Sequence, residues 1–242
     1  MAAGIRLYVD GDLASGAAVD IAPEQAHYLG RVMRLAVGDA VLLFNGRDGE
    51  WRAEIAEIGK RAARLMPVER TRPQSEAPGP WLAFAPVKKT GTDFIIQKAT
   101  ELGAGHLMPV QTANTQTGRL NTERLQAVAV EAAEQCERLT VPRIDDMAGL
   151  AALMSDWPTD RTLFVLDETG AGKPIAAALN GAAGGVVGFL VGPEGGFQAQ
   201  ELDRFAKLPF VVPVTLGSRI LRAETACLSA LAVWQAVAGD WK

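Results

Sequence analysis

Residues 190–202 read LVGPEGGFQAQEL, in which a short apolar run ends at a turn made of glycines, a proline and one carboxylate. The apolar residues 188–191 predict a buried strand, and a helical pattern starts near Gln198. Glycines permit positive φ and a close approach of the backbone to another molecule, while Pro193 fixes one dihedral angle. Apart from Glu194, the turn offers only backbone groups. It is therefore either a ligand-binding loop or an ordinary turn.

The sequence around this turn alternates between apolar runs and helical patterns. The apolar runs are WLAFAPV, HLMPVQ, TLFVLD, VVGFLVG and FVVPVTLG. The helical patterns lie near residues 92–103, 121–139, 147–155, 174–180, 198–208 and 223–238. Such alternation predicts an α/β domain with a parallel sheet covered on both faces. Ligands of these sheets bind beyond the carboxyl ends of the strands, which is where the glycine turn lies.

The first seventy or so residues show a different pattern. The segments IRLYVD, AVLLFN, WRAEIAEI and ARLMPVER predict strands. Between them, APEQAHYLGRVMRL predicts a helix that begins at Pro23 and ends near Gly38. Several strands with one helix indicate a small β-barrel. The proline-rich segment TRPQSEAPGP marks the boundary, so we expect domains at residues 1–72 and 73–242.

Length and composition are those of a globular protein. The chain has 242 residues, of which 48% are hydrophobic and 21% charged. No apolar stretch is long enough to span a bilayer and the N-terminus lacks a signal-peptide core, so we expect a cytoplasmic protein without membrane attachment. Cys136 and Cys227 are expected to be reduced core residues. With His27 and His106 they lack the spacing of a metal site, and no metal is expected.

The net charge of −4 does not favour a general nucleic-acid binder. Lysine and arginine balance aspartate and glutamate in residues 1–73, so the whole excess of negative charge lies in the later residues. A local patch of arginines can still steer an RNA ligand, because the local field matters more than the total charge.

A second segment with exposed backbone, VTLGSRILRAETACLSAL, spans residues 214–231. Here a strand passes through Leu216 and Gly217 into a helix that begins near Glu224. The two segments together suit a neutral ligand that carries an adenine ring. The chain has no P-loop motif, and residues 192–196 do not match the dinucleotide-binding pattern, so a nicotinamide-dependent oxidoreductase is disfavoured.

The pair LVGPEGGF and LGSRILRAETA resembles the two cofactor motifs of the ribosomal RNA small-subunit uridine N3-methyltransferase family, which belongs to the trefoil-knotted SPOUT class. The segments HYLGRVMRLAVGD, KKTGTDFIIQKATELGAGHLMPV and EAAEQCERLTVPRI agree in order, so the resemblance covers nearly the whole chain. It implies a PUA-like N-terminal β-barrel for RNA and a SPOUT α/β domain with a deep knot. Sequence rules alone favour an unknotted, doubly wound sheet.

The resemblance also implies a function. A homodimer is expected to bind S-adenosylmethionine and to methylate N3 of uridine 1498 in the 16S ribosomal RNA of the small subunit. Two positions depart from the family. Residues 113–115 are Ala-Asn-Thr where a Glu-Arg pair is common, and Glu137 precedes Arg138 where glycine is usual. Both departures lie in the region expected to face RNA, so we expect them to affect substrate contacts more than cofactor binding.

The resemblance also implies which residues bind the cofactor. The implied cofactor-binding residues are Leu166, Val191, Gly192, Pro193, Glu194, Gly195, Gly196, Leu216, Gly217, Ile220, Leu221 and Arg222.

Methylation of uracil N3 is helped by a base that accepts the N3 proton or by a cation that stabilises the uracil anion. Arg222 is the candidate cation. Glu224 is either the base or a first-turn carboxylate that interacts with helix amides, a position that favours its ionised, weakly basic form. The resemblance adds Glu134, Gln135 and Arg138 as neighbours of the active site, and Gln135 is included among the catalytic candidates.

RNA contacts are expected mainly from the first domain. His27, Arg31 and Arg34 form one stripe at helical spacing, which is either a phosphate-binding surface or a solvated helix face. The further RNA-binding candidates are Arg6, Arg47, Arg52, Arg138 and Arg219.

Two other functions remain open. A knotted 2′-O-ribose methyltransferase has the same cofactor pocket, and a catalytically silent RNA-binding dimer uses it only to sense the ligand. Whichever function holds, we expect a homodimer whose contact includes the last helix, because the apolar residues of this helix exceed one core-facing stripe. These residues are Leu228, Leu231, Ala232 and Val233.

Overall fold

The computed structural model describes residues 4–75, 78–167, 169–170, 172–182 and 185–241, apart from the side chain of Lys89. The chain forms two compact units. The first unit is Met1–Glu76 with Ala133–Val141, and the second unit is Ala77–Ala132 with Pro142–Lys242. The change of unit falls inside the proline-rich segment 71–80, slightly beyond the predicted boundary. That residues 133–141 group with the first unit was not predicted from the sequence.

The first unit consists of a five-stranded sheet, one short helix and one π-helical turn. Its elements are β1 (Arg6–Tyr8), β2 (Val19–Ile21), α1 (Pro23–His27), the π-helical turn Tyr28–Val32, β3 (Ala40–Phe44), β4 (Glu50–Ile58) and β5 (Ala63–Arg72). The strand order is β1-β3-β4-β5-β2, and only the β1–β3 pair is parallel. An apolar core that includes Leu29, Leu43, Ile55 and Leu65 packs against this sheet. A smaller cluster is formed by Phe44, Ala133 and Leu139.

The helix in this unit begins as predicted but ends early. Pro23 occupies the first turn, and the side chain of Gln25 accepts a hydrogen bond from the backbone N–H of Ala22. The helix widens into the π-helical turn and stops before Arg34, whose φ is +58°. Gly38 also has positive φ, but it lies in the loop beyond and does not end the helix as predicted.

The second unit alternates strands and helices. Its elements are β6 (Trp81–Phe84), α2 (Lys89–Glu101), β7 (His106–Gln111), α3 (Thr122–Gln135), β8 (Arg143–Ile144), β9 (Ala148–Gly149), α4 (Leu150–Asp156), β10 (Thr162–Leu166), β11 (Lys173–Pro174), α5 (Ile175–Gly181), β12 (Val187–Val191), α6 (Ala199–Phe205), β13 (Val211–Thr215) and α7 (Ala223–Val237). The strand order is β11-β13-β10-β12-β6-β7-β8, with β9 beside β7, and every pair is parallel. This confirms the predicted parallel α/β sheet.

Both faces of the sheet are covered, because successive side chains of a strand point to opposite faces. One face forms a core with α4 and α6, whose members include Ala83, Met108, Val110, Leu150, Leu163, Val165, Leu190 and Phe205. On the other face Leu82, Phe84, Phe164 and Phe189 are completely buried. Helix α7 contacts β6, β12 and α2.

Helix α3 ends at Gln135 and is followed by Glu137, whose φ is +61°. The helix is therefore shorter than the pattern at 121–139 predicted. No helix in the described part of the chain is long and apolar enough to cross a membrane. The deep knot is a prediction that rests on the family resemblance.

Candidate active site

The two glycine-bearing loops meet because of the strand order. Strands β12 and β13 pair with β10 on its two sides, and all three are parallel. Their carboxyl ends therefore lie at the same edge of the sheet. The loop after β12 and the loop after β13 bracket the end of β10, which is the expected position of a ligand site in such a sheet.

A pocket lies between these loops. It encloses about 640 Å³, part of which is open to solvent. Its walls are mainly apolar side chains and backbone, and the lining residues are Leu166, Asp167, Val191, Gly192, Pro193, Glu194, Phe197, Val214, Thr215, Leu216, Gly217, Arg219, Ile220, Leu221, Ala223 and Ala226.

The loop after β13 presents its backbone to the pocket. Gly217 has a φ of +105°, a conformation that residues with a side chain rarely adopt. Ile220 lines the pocket and is 84% exposed although its side chain is apolar. No N–H group of residues 218–221 donates a hydrogen bond to another described residue. These donors remain available to a ligand.

Three charged side chains stand at the beginning of α7. Arg222 is exposed at the N-cap position, and Arg219 is exposed in the pocket wall. Within the described part of the chain neither arginine forms an ion pair. Glu224 lies in the first turn, and its Oε2 is buried with no hydrogen-bond partner among the described residues.

The carboxylate of Glu224 rests against the first turn of α2. A Cβ atom placed on Gly91 would lie 2.6 Å from Oε1 of Glu224 and 2.6 Å from Cγ2 of Val87. The absence of a side chain at Gly91 therefore makes room for the carboxylate. One turn further along α7, burial and then the charge of Glu224 raise the pKa of the Cys227 thiol well above its ordinary value.

The segment after β7 holds the glycine turn in place. Nδ2 of Asn114 donates hydrogen bonds of 3.0 Å to the carbonyl oxygens of Gly195 and Gly196. The backbone N–H of Ala113 donates to Oε1 of Glu201, and Oε2 of Glu201 accepts from the N–H of Gln198. The departure at residues 113–115 thus contacts the glycine turn. That it affects RNA contacts more than cofactor binding stays a prediction.

Comparisons with known proteins agree with this geometry. A family model described as an RNA methyltransferase domain matches residues 75–235, and one described as an RNA methyltransferase PUA domain matches residues 21–65. Ribosomal RNA small subunit methyltransferase E of Rickettsia conorii is 33% identical over 228 residues, covering 94% of this chain and 93% of the relative. The chain belongs to the ribosomal RNA small subunit methyltransferase E family.

Two further members of the family support the assignment. The enzyme of the same name from Synechocystis is 34% identical over 232 residues, covering 94% of this chain and 76% of the relative. The crystal structure of ribosomal RNA small subunit methyltransferase E from Neisseria gonorrhoeae, bound to S-adenosyl methionine, has a TM-score of 0.88 and 28% identity. That comparison covers 99% of this chain and all of the other. The expected family and the expected two-part fold are thereby confirmed.

Most of the cofactor-binding residues implied by the family resemblance line the first pocket. The ones that do are Leu166, Val191, Gly192, Pro193, Glu194, Leu216, Gly217, Ile220 and Leu221. Gly195, Gly196 and Arg222 do not line it. The residues that the sequence analysis missed are Asp167, Phe197, Val214, Thr215, Ala223 and Ala226. Asp167, Phe197, Thr215 and Ala223 stand beside predicted residues, and this position is their only sequence signal. Val214 and Ala226 have none.

Arg6 is not on the surface, which corrects its inclusion among the RNA-binding candidates. Its side chain is buried in the first unit, and Nε forms a 2.7 Å ion pair with Oε2 of Glu50. Its remaining donors reach the carbonyl oxygens of Ala133, Glu134 and Arg138 at 2.9 to 3.1 Å. With its donors engaged inside the unit, Arg6 has a structural role.

The other arginines of the first unit are more accessible. His27, Arg31 and Arg34 are exposed, but the π-helical turn and the positive φ of Arg34 mean that they do not follow one regular helical stripe. Exposed apolar side chains lie among them, namely Tyr28, Val32, Met33 and Val37. Arg47 and Arg52 form ion pairs with Asp12 and with Glu54 and Glu69, respectively. The RNA-binding role of these residues stays a prediction.

The end of α3 also belongs to the first unit. Gln135 is exposed there, Arg138 is half-buried with Nε bonded to Thr140, and Oε1 of Glu134 accepts the N–H of Tyr8. The catalytic role of Gln135 and the RNA contact of Arg138 stay predictions.

Both cysteines are free thiols; Cys227 is buried and Cys136 is half-buried. Among the residues that the structure describes, no cluster of three or more histidine, cysteine, aspartate or glutamate side chains is placed to hold a metal ion.

Proposed function

We propose that this protein binds S-adenosylmethionine in the pocket between the two loops and transfers its methyl group to N3 of a uridine in 16S ribosomal RNA. The observation that carries the proposal is the pocket itself, whose walls are the two segments that resemble the family's cofactor motifs. The relative from Neisseria gonorrhoeae, which has the same fold along its whole length, was solved with S-adenosyl methionine bound.

The lining of the pocket fits this cofactor. Apolar side chains such as Leu166, Leu216 and Ile220 offer surfaces for an adenine ring. The free N–H groups of residues 218–221 offer donors to the adenine edge or to the ribose and amino-acid oxygens. Asp167 and Glu194 contribute carboxylates to the lining for hydroxyl or amino groups. The described lining contains no Lys and one Arg, as expected for a ligand without phosphates.

When bound, S-adenosylmethionine supplies a methyl group that its sulfonium charge already activates. The protein therefore has to align the acceptor with the methyl group and to help uracil N3 lose its proton. As N3 bonds to the methyl carbon, the bond from that carbon to sulfur breaks and sulfur keeps the electron pair. The N3 proton leaves to a base, and negative charge develops on the uracil carbonyl oxygens before transfer is complete.

Arg222 is assigned the stabilisation of that negative charge. Arg222 is exposed at the N-cap position of α7, and within the described residues it has no carboxylate partner that would neutralise its charge. A cation held at the site of developing charge lowers the barrier to the chemical step more than it strengthens binding of the neutral substrate. Arg219, in the wall of the first pocket, is assigned to RNA contact.

Glu224 and Gln135 are assigned supporting roles in the catalytic step. Glu224 has a buried oxygen without a described partner, so one lone pair is available to a proton that reaches it. Its own helix amides do not satisfy that oxygen, which disfavours the alternative of a simple capping carboxylate. Gln135 is exposed, and its catalytic role is proposed on the family resemblance alone.

The RNA is assigned to the first unit, where Arg31 and Arg34 are exposed beside apolar side chains. The protein is further proposed to act as a homodimer through α7. Leu231 is fully buried within the protomer, so the face available for contact consists of the half-buried residues Leu228, Ala232 and Val233. Light scattering at micromolar concentration tests the dimer, and a monomer would contradict it.

One experiment separates the possible activities. Small ribosomal subunits are incubated with protein and methyl-labelled S-adenosylmethionine, and the RNA is then digested to nucleosides. Label in 3-methyluridine is the expected result. Label in a 2′-O-methylated nucleoside identifies a ribose methyltransferase instead, and binding of both ligands without any transfer identifies a catalytically silent RNA-binding protein.

A further inference from the structure

A second pocket adjoins the cofactor pocket in the second unit. It encloses about 610 Å³, part of it open to solvent, and shares Pro193 and Glu194 with the first pocket. Its remaining lining comes from the residues before α2 and the segment after β7, namely Pro86, Val87, Lys88, Asn114, Gln116, Thr117 and Gly195. The two pockets therefore adjoin at Pro193 and Glu194 of the glycine turn.

We propose that this second pocket holds the acceptor nucleotide, a uridine with its flanking phosphate, and that Lys88 and Gln116 are its specific contacts. This inference rests on the proposed function and adds the place and the residues that receive the substrate.

The position of the pocket follows from the geometry of the reaction. In-line transfer requires the acceptor nitrogen to lie about 3–3.5 Å from the methyl carbon, on the side opposite to sulfur. An acceptor pocket must therefore border the cofactor pocket directly. The second pocket meets this condition through the shared residues Pro193 and Glu194, whereas the groove between α4 and α6 shares no lining residue with the cofactor pocket.

Some polar side chains of the second pocket are already hydrogen-bonded within the protein, and others are available to a ligand. Asn114 is engaged with the glycine turn, and Oγ1 of Thr117 donates a 3.0 Å hydrogen bond to the carbonyl oxygen of Val87. Lys88 and Gln116 are exposed, and the side chain of neither has a hydrogen bond or an ion pair with a described residue. An ammonium group suits a phosphate or a uracil carbonyl, and an amide can both donate to and accept from a base edge.

The carboxylate of Glu224 lies near Val87, which is one of the residues that line the second pocket. Oε1 of Glu224 and Cγ2 of Val87 would both be 2.6 Å from a Cβ atom on Gly91, so the carboxylate and this lining residue are neighbours. Oε2 of the same carboxylate has no partner among the described residues. Glu224 is therefore our candidate for the base that accepts the N3 proton.

The test measures methylation kinetics of four variants of the full chain, with S-adenosylmethionine affinity measured by calorimetry. We expect Lys88→Ala to lower kcat/KM for RNA by about tenfold, as for the loss of a hydrogen bond from a charged group, and Gln116→Ala to lower it by about fivefold. Both variants should keep the wild-type dissociation constant for S-adenosylmethionine, which also shows that they fold. Lys207→Ala and Gln200→Ala, exposed residues outside both pockets, are the matched controls and should behave as wild type.

Each other outcome overturns the assignment. Equal losses of S-adenosylmethionine affinity in Lys88→Ala and Gln116→Ala would make the pocket part of the cofactor site. If the wild-type protein is active and both variants have wild-type kinetics for RNA, the proposed methyltransferase function is unaffected. The second pocket would then not be the acceptor site. A wild-type protein that transfers no methyl group to RNA would refute the proposed function, and the pocket assignment would fall with it.

Discussion

Asn114 donates a 3.0 Å hydrogen bond to the carbonyl oxygen of Gly195, and the same nitrogen reaches the carbonyl oxygen of Gly196. One side chain thereby fixes two consecutive peptide groups of the glycine turn that lines the first pocket. We expect Asn114→Ala to weaken S-adenosylmethionine binding by roughly threefold to tenfold, since each hydrogen bond contributes about 0.5–1.5 kcal/mol. Calorimetry on the purified protein measures the change.

Asn180→Ala is the matched control, because this exposed asparagine lies in α5 and contributes to neither pocket. It should leave cofactor affinity unchanged. If Asn114→Ala also binds as tightly as wild type, the turn holds its shape without the asparagine, and the role assigned to residues 113–115 is wrong.

Gly91 tests the placement of Glu224. In Gly91→Ala the added methyl group would approach both Oε1 of Glu224 and Cγ2 of Val87, so one of these side chains must shift. Overpacking of this kind typically costs about 1–3 kcal/mol, which exceeds the gain of about 1 kcal/mol that alanine brings to a helix. We expect a lower free energy of unfolding in urea and a lower methylation rate.

Two variants control this experiment. Gly118→Ala introduces a methyl group into open space and should change stability little. Gly91→Ala combined with Glu224→Ala removes the carboxylate from the clash and should recover part of the lost stability. A single Gly91→Ala variant that is more stable than wild type would mean that the carboxylate is not held against α2.

Arg6 and Glu50 form a buried ion pair whose removal should destabilise the protein. Arg6→Ala leaves the Glu50 carboxylate buried beside Arg72, 3.6 Å away, and leaves three carbonyl oxygens without their donor. Breaking a buried pair by removing one partner typically costs about 3–5 kcal/mol. Thermal unfolding of the full chain should show a clear fall in Tm.

Arg64→Ala is the comparison, because its pair with Asp20 is exposed and should contribute far less. If the two variants lose equal stability, burial is not what makes the Arg6 pair important. A second measurement distinguishes a structural role of Arg6 from an RNA contact. Under conditions where the Arg6→Ala variant remains folded, its RNA binding should depend on salt as in the wild type.

The parts of the fold that follow from local pattern were predictable from the sequence. Strand–helix alternation gave the parallel sheet, and the run of residues 188–191 gave β12 with the glycine turn at its carboxyl end. The pocket could be placed because parallel strands bring such turns to one edge. Family resemblance, and not periodicity, supplied the cofactor and the reaction.

The errors came from contacts between distant parts of the chain. Residues 133–141 group with the first unit, where Arg6 donates hydrogen bonds to carbonyl oxygens of this segment. No local sequence pattern predicts hydrogen bonds between residues so far apart in the chain. The helix end at Arg34 was missed because an arginine adopts the positive φ that sequence rules assign to Gly38. The hydrogen bond from Asn114 to Gly195 was not predicted, because it is visible only in three dimensions.

The sharpest prediction separates RNA binding from chemistry. Arg31 and Arg34 are exposed in the first unit, and Arg222 is exposed at the beginning of α7 in the second. Arg31→Ala with Arg34→Ala should weaken RNA binding and reduce the slope of log affinity against log salt by about one for each phosphate that the variant no longer neutralises. S-adenosylmethionine affinity should not change. Lys60→Ala with Arg61→Ala removes the same charge from the exposed β4–β5 turn and should have a smaller effect.

Arg222→Ala should show the opposite pattern. If Arg222 stabilises the uracil anion, its removal should lower the methylation rate by about a hundredfold, as for the removal of one donor to developing negative charge, with little change in RNA affinity. Filter binding at several salt concentrations and single-turnover methylation measure the two quantities separately. Equal falls in RNA affinity in Arg222→Ala and in the Arg31 and Arg34 variant would make Arg222 a binding residue, because a group that acts on charge in the transition state leaves ground-state binding nearly unchanged.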